Sequence, residues 1–456
     1  MTDQSMKPFT VLLIGQAISL FGSSLTGFAL GIWAYEQIGS VTVYTVIALA
    51  NIVPVVLLSP LAGAVADRYN RKMIVILSQI AAIAITGALA SLYWWQVLVP
   101  WHIIALVTLN SVFNAFVLPT ISATIPLMVS KSNLTKANGM IALAFGLIEL
   151  ATPAIAGTLY ANGGMQTLFL VDLATFSVGI GAVIITRIPQ PQAKTTAASA
   201  TDTQELSLLA SIGEGYRYLM KAPALLGLVG FFSSIAAMLI AAGVMVQPML
   251  LGFAKPDQMG QIMSFAGSGI IAGAAIMIAL TNINRHMPIV IGVSGLVGIG
   301  LLLLPATTTP WMIAAGGFIV MACFPVIDSN NRSIYQRKVD PAILGRVIGL
   351  RNFVLGLAQC FMLLIIGPLA DGVFEPAMAA DGWLAPTLGP YYGTGQGRGI
   401  AVLISLLGAL MLVSVALTLC SRRMRRLDSE LDDVEITVEE TEPEQQTAMD
   451  AVAMAK

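Results

Sequence analysis

The chain has 456 residues, 57% of them apolar and only 10% charged, with a mean hydropathy of +0.83. A soluble domain carries about 25% charged residues, so 23 Lys and Arg with 24 Asp and Glu cannot coat a water-soluble protein of 48.0 kDa, and a soluble multidomain enzyme is excluded. The net charge of −1 hides an uneven layout: residues 1–426 hold 14 acids against 22 bases, whereas ten acids fall in the last 29 residues.

A helix needs about 20 apolar residues to cross roughly 30 Å of hydrocarbon. Twelve such segments are predicted in chain order: 9–35, 42–66, 73–94, 101–128, 137–161, 166–187, 223–252, 258–281, 287–305, 310–334, 345–373 and 398–421. The first run is too long for the apolar region of a cleavable signal, and no small-residue cleavage site follows it. Pro54, Pro60, Pro119, Pro153, Pro325 and Pro368 lie inside spans, which membrane helices tolerate when neighbours re-satisfy the freed backbone groups. The two-residue alternation of membrane β-strands is missing. Cys323, Cys360 and Cys420 sit in apolar stretches without a C-x-x-C pair, and read as small hydrophobes.

Orientation follows from the bases. Counting those on or adjoining alternate connections places 21 of 23 on one side, including Arg68, Arg71 and Lys72 after the second span and Arg422, Arg423, Arg425 and Arg426 after the last. Both termini are therefore expected in the cytoplasm. The layout is a six-helix bundle over 1–187, a cytoplasmic linker over 188–222, a second six-helix bundle over 223–426 and an acidic, disordered tail over 427–456. Within the linker, a Pro/Gln/Ala/Thr/Ser-rich stretch precedes Leu206, Leu209, Ile212 and Tyr216, whose helical spacing predicts a surface-lying helix. The outward connection 374–397 is rich in Gly, Pro and Tyr.

The halves match weakly at an offset of 210 residues. Phe21-Gly22-Ser23-Ser24 aligns with Phe231-Phe232-Ser233-Ser234, Gln37 with Gln247, Ala62-Gly63 with Ala272-Gly273, and Gly139, Gly146 and Gly157 with Gly349, Gly356 and Gly367. Two repeated halves predict a substrate site near the midplane between them.

Gly63-Ala64-Val65-Ala66-Asp67-Arg68-Tyr69-Asn70-Arg71-Lys72 resembles the loop signature of the major facilitator superfamily, with Asn70 in place of a glycine. Gly15-Gln16-Ala17-Ile18-Ser19-Leu20-Phe21-Gly22-Ser23, Phe28-Ala29-Leu30 and Trp33-Ala34-Tyr35 resemble the first helix of the macrolide-efflux-type drug:proton antiporter branch. Leu134-Thr135-Lys136-Ala137-Asn138-Gly139 and Leu344-Gly345-Arg346-Val347 resemble its paired cytoplasmic motifs. The resemblance covers 9–421 and implies an all-α polytopic fold of twelve helices in two pseudo-symmetric bundles. The span 5 motif departs from the branch at Thr152-Pro153, and the fourth span lacks the arginine common among drug:proton antiporters.

The resemblance implies a gating motif of Gly63, Asp67, Arg68, Arg71 and Lys72. Asp67 is expected near the start of span 11, where a helix N-terminus favours an anion, with Arg346 or Arg351 as gate partner. Acids inside a bilayer usually face a cavity or carry protons, and Glu149 in span 5 is the first proton-coupling candidate. Asp328 in span 10 is the second, with Arg332 one turn away as a competing ion-pair partner. Asp172 and Glu36 read as lying near the interface. Gln16, Phe21, Phe28 and Trp33 of span 1, Asn110 and Asn114 of span 4, and Met245 and Gln247 of span 7 are the expected lining of the substrate cavity.

The reading is a secondary exporter of amphiphilic, drug- or macrolide-like molecules by proton antiport, in the bacterial inner membrane. Its expected partners are the bilayer, a small-molecule substrate and protons, with no nucleic acid, as a monomer without cofactor, metal or catalytic residues. A dedicated siderophore or lysophospholipid carrier is the alternative, and a transporter-like sensor or scaffold a further one. H-E-x-x-H, G-x-S-x-G and Walker motifs are absent from the sequence, against a membrane enzyme or ATP as the energy source.

Overall fold

The computed structural model describes residues 6–188, 208–280, 285–425 and 427. The linker stretch 189–207, with Leu206, and the tail from 428 lie outside these residues, as do the side chains of Leu209 and Ile212. All regular structure among the described residues is helical, the form in which a bilayer-spanning segment satisfies its own backbone. The helices are α1 Lys7–Ile38, α2 Val41–Arg68, α3 Arg71–Trp94, α4 Pro100–Met128, α5 Leu134–Ile185, α6 Leu208–Lys221, α7 Pro223–Leu251, α8 Pro256–Ala279, α9 His286–Leu303, α10 Pro310–Lys338, α11 Pro341–Leu369 and α12 Arg398–Cys420.

Local chemistry sets many of their starts. Prolines open α4, α7, α8 and α10, where the missing N–H costs nothing and the fixed φ suits the first turn. Ser40 accepts from the Val43 N–H to cap α2, and Asn70 does the same for Met73 at the start of α3.

Eleven of these helices are long and apolar enough to cross a membrane, against twelve predicted spans. The difference lies in α5. Its 52 residues would reach about 78 Å at 1.5 Å per residue, more than twice a hydrocarbon core. Gly164, at φ 63° and ψ −174°, breaks it, a conformation that glycine reaches without a Cβ penalty. The arms 134–163 and 165–185 therefore count as two crossings, which brings the total among the described residues to twelve. The second arm runs back along α1, where Gly22 meets Thr175 and Thr26 donates to the Leu168 carbonyl at 3.3 Å.

The chain thus has a terminal end, where α1 begins and α12 finishes, and a loop end, where α1 turns into α2 and α11 leads to α12. Helices α1–α5 form the first half and α7–α12 the second. The halves meet along α2 with α11 and along the first arm of α5 with α8. Gly157 and Gly260 allow the second meeting: a methyl group on either would collide with the carbonyl of Pro256 or Pro153 across the junction. At the loop end, Ile32, Tyr35 and Val41 of the first half belong to the same apolar core as the second half.

Residues 374–397, the outward connection, contain the helical turns Glu375–Ala377 and Ala385–Tyr392. Glu375 accepts from the Gly397 and Ile400 N–H groups at 3.1 and 2.9 Å and so caps α12. The predicted surface helix appears as α6. It lies on α11, with Glu214 paired to Arg346 and the Tyr218 hydroxyl donating to the Lys338 carbonyl at 3.5 Å.

Candidate functional site

The two halves are knit together by polar contacts towards the loop end. Gln247 of α7 donates to the Phe28 carbonyl at 3.2 Å and accepts from the Tyr44 hydroxyl. Asp371, just past α11, accepts from Ser40, Val41 and Thr42 at the start of α2. The Ala154 N–H donates to Ser264 at 2.9 Å between α5 and α8.

The expected cavity residues divide. Phe28 packs against the cores of both halves, and Gln247 joins them. Asn110 and Asn114 share one face of α4: Asn114 is exposed, and Asn110 Oδ1 is buried without a hydrogen bond. Three of the other four make contacts within the first half. Gln16 donates to the Gly179 carbonyl at 3.3 Å and accepts from Gln79 at 3.1 Å, within the first half. Phe21 and Trp33 pack on the first half's core, Trp33 edge-on to Tyr93 at 6.2 Å. Met245 is fully buried in the second half.

Glu149 is exposed, and among the described residues it has no hydrogen bond or ion pair. Its flank follows from helix rotation at about 100° per residue. Pro153 and Gly157 face α8, while Ile148, Thr152 and Ala156 are buried. Glu149 falls between these two faces. Leu147 and Ile155, 51% and 41% exposed, lie on the other side of the helix, where acyl chains would cover them. Glu149 therefore sits on the side of α5 that borders the α5–α8 seam.

Asp328 is not free in this way. It accepts from Arg332 Nε at 2.7 Å and faces Arg351 Nη2 at 3.8 Å. Arg351 is 4% exposed, stacked over the rings of Phe232 (4.7 Å) and Tyr335 (5.3 Å), and donates to Asn352 at 3.2 Å. The buried amide of Asn331 and the Tyr335 hydroxyl beside this cluster have no hydrogen-bond partner among the described residues.

Of the loop signature, the side chains of Gly63, Asp67 and Arg68 lie outside the described residues. Arg71 donates to the Ala123 carbonyl at 2.8 Å, and Lys72 to the carbonyls of Ile184 and Thr186 at 2.7 and 3.1 Å. These contacts bind the start of α3 to α4 and to the C-terminal end of α5, where a cation suits the helix dipole. Of the expected gate partners, Arg346 pairs with Glu214 on α6 and Arg351 faces Asp328; whether either also meets Asp67 lies outside the described residues.

Asp172 is 1% exposed among α1, α3 and the second arm of α5. Ser23 donates to one oxygen at 3.3 Å and Thr86 to the other at 3.1 Å. Its hydroxyl partners sit 149 and 86 residues away, so no local pattern announces them. Asp371 was missed for the same reason.

Two apolar grooves lie elsewhere, one lined by Ile291, Gly295, Val415 and Leu419, the other by Val11, Ile14, Val178 and Ile185. Neither reaches Glu149 or Asp328. Among the described residues no group of three His, Cys, Asp or Glu could hold a metal ion.

Long apolar helices in two packed halves define a multi-pass membrane protein, and its family and structural likenesses make it a transporter rather than an enzyme. The chain belongs to the Major Facilitator Superfamily, whose sequence model matches residues 12–363. It is 24% identical over 374 residues to Macrolide efflux protein A of Streptococcus pyogenes, covering 80% of this chain and 90% of that protein. It is 22% identical over 390 residues to the multidrug efflux pump Tap of Mycolicibacterium fortuitum, covering 81% and 91%. Its fold is similar to that of a bacterial homologue of the human lysosomal transporter Spinster in an inward-facing, unoccupied conformation, with a TM-score of 0.65, 14% identity, and 93% of this chain and 99% of that one covered.

Proposed function

We propose that the protein exports amphiphilic, macrolide-like molecules by proton antiport, working as a monomer with a bundle on each side of the substrate path. The observation that carries the proton step is Glu149, a carboxyl without a partner on the α5–α8 seam. A carboxyl there can take up a proton when the seam is open to one face and release it when open to the other. Acids at membrane depth commonly have this role. Asp328 serves as the second titrating group when Arg351 withdraws from it. Export of macrolides and other drugs is what the names of the efflux relatives support.

The terminal end faces the cytoplasm of a bacterial inner membrane in this reading, supported by the bases that flank α3, α10 and α12. Contacts such as Gln247 with Phe28 and Tyr44 then close the outer end. Purified protein in liposomes, oriented and given an inward proton gradient, should move a macrolide against its own gradient. Flux that ignores the proton gradient contradicts the coupling, and flux of lysolipid or siderophore alone contradicts the substrate class.

A further inference from the structure

Helices α2 and α11 run antiparallel along the junction of the halves, and each ends near a carboxylate. Asp67 is the next-to-last residue of α2, and Asp371 follows the last residue of α11 by two. The geometry is described at the Asp371 end. Its Oδ1 accepts from the Val41 N–H at 2.9 Å, and its Oδ2 accepts from the Thr42 N–H at 2.8 Å and the Ser40 hydroxyl at 2.7 Å.

A helix N-terminus leaves its first N–H groups without intrahelical partners, and these favour an anion. In α2 the Val43 N–H is met by Ser40 Oγ, within the same half. Those of Val41 and Thr42 are met by a residue about 330 positions away in the other half. Beside them Gly367 of α11 packs directly on Thr42 and Thr45, with no room for a Cβ. The outer end cannot part at this point while those three bonds hold.

We infer that Asp371 is the latch of the loop end: its carboxylate caps α2 across the junction, and the cap must break each time that end opens. Asp371 touches no substrate and acts by positioning α2 against α11. The inference rests on the alternating-access reading given above. Asp371 is engaged when the loop end is shut. Charge-assisted hydrogen bonds such as these are about twice as strong as neutral ones, so removing the charge shifts the balance of states without removing the side chain.

The test is a pair of distance measurements by spin labels on full-length protein with Cys323, Cys360 and Cys420 replaced by Ala. Labels at Val97 and Thr308 report the loop end, and labels at Ser132 and Gln336 the terminal end. Asp371→Asn should raise the ratio of open to closed loop ends by about tenfold, the scale of one lost charged hydrogen bond, with the Ser132–Gln336 distance shortening in step. Ser40→Ala, which removes one of the three bonds, should shift the same ratio less and in the same direction, and it serves if the Asn variant does not fold. Unchanged distances in folded Asp371→Asn and Ser40→Ala overturn the latch, and so does a loop end that opens while the terminal end stays put. A proton gradient and macrolide that leave the wild-type distances fixed, while Asp371→Asn still moves both, overturn the export reading and leave the latch standing.

Discussion

The Arg351 guanidinium lies 3.8 Å from the Asp328 carboxylate and over the Phe232 ring, which holds a cation from α11 against an acid from α10. Removing the cation leaves a partly buried carboxylate with only the surface-exposed Arg332 beside it. Arg351→Met should destabilise the protein by about 3 kcal/mol, the cost of breaking a buried pair from one side. Adding Asp328→Asn should restore part of that loss, as read by thermal unfolding in detergent.

Asp172 supports a different prediction because its partners are hydroxyls. Asp172→Ala takes the acceptor from the buried Thr86 hydroxyl, while Ser23 can still donate to the Ser19 carbonyl at 3.2 Å, and should cost about 2 kcal/mol. Asp172→Asn keeps the shape and an acceptor, so it should cost less than half as much. Equal losses in the two variants would show that the hydroxyl contacts do not matter.

The seam between α5 and α8 depends on residues without side chains. Gly260 sits against the Pro153 carbonyl and Gly157 against that of Pro256. Gly260→Val should push the helices apart, lower stability by about 1–3 kcal/mol and abolish transport. Gly146→Ala, with open space beside that position, is the control and should leave both nearly unchanged.

Most of the scaffold was legible in the sequence, because apolar length, helix-starting prolines and the placement of bases are local signals. The two crossings of α5 were separable because the apolar pattern lapses around the Asn162-Gly163-Gly164 turn. The surface helix was legible from Tyr216 and its neighbours at helical spacing. Direction was the harder quantity. A glutamine on α1 looks the same whether it faces a cleft or, as Gln16 does, Gln79 and Gly179 inside a bundle. Pairings such as Ser40 with Asp371, 331 residues apart, depend on how two halves dock and leave no trace in spacing. Glu149 stands out in the sequence because charge inside an apolar span is conspicuous, whereas its place beside the α5–α8 seam needed the coordinates.

The ion pair between Arg346 and Glu214 is about one-third exposed on both sides. Pairs at that exposure contribute roughly 0–1 kcal/mol and are screened by salt. Glu214→Gln should therefore leave the unfolding temperature within about 2 °C of wild type. Its effect should appear instead as weaker docking of α6 on α11, read as faster proteolysis within 208–221.

The central claim concerns Glu149, and one comparison tests it most directly. Wild type and Glu149→Gln are placed in liposomes, and macrolide transport is followed with and without a proton gradient across a range of pH. The account predicts that the variant still exchanges macrolide for macrolide but no longer accumulates it against a gradient, and that its rate loses the pH dependence of the wild type. Uphill accumulation by Glu149→Gln with an unaltered pH profile would contradict it.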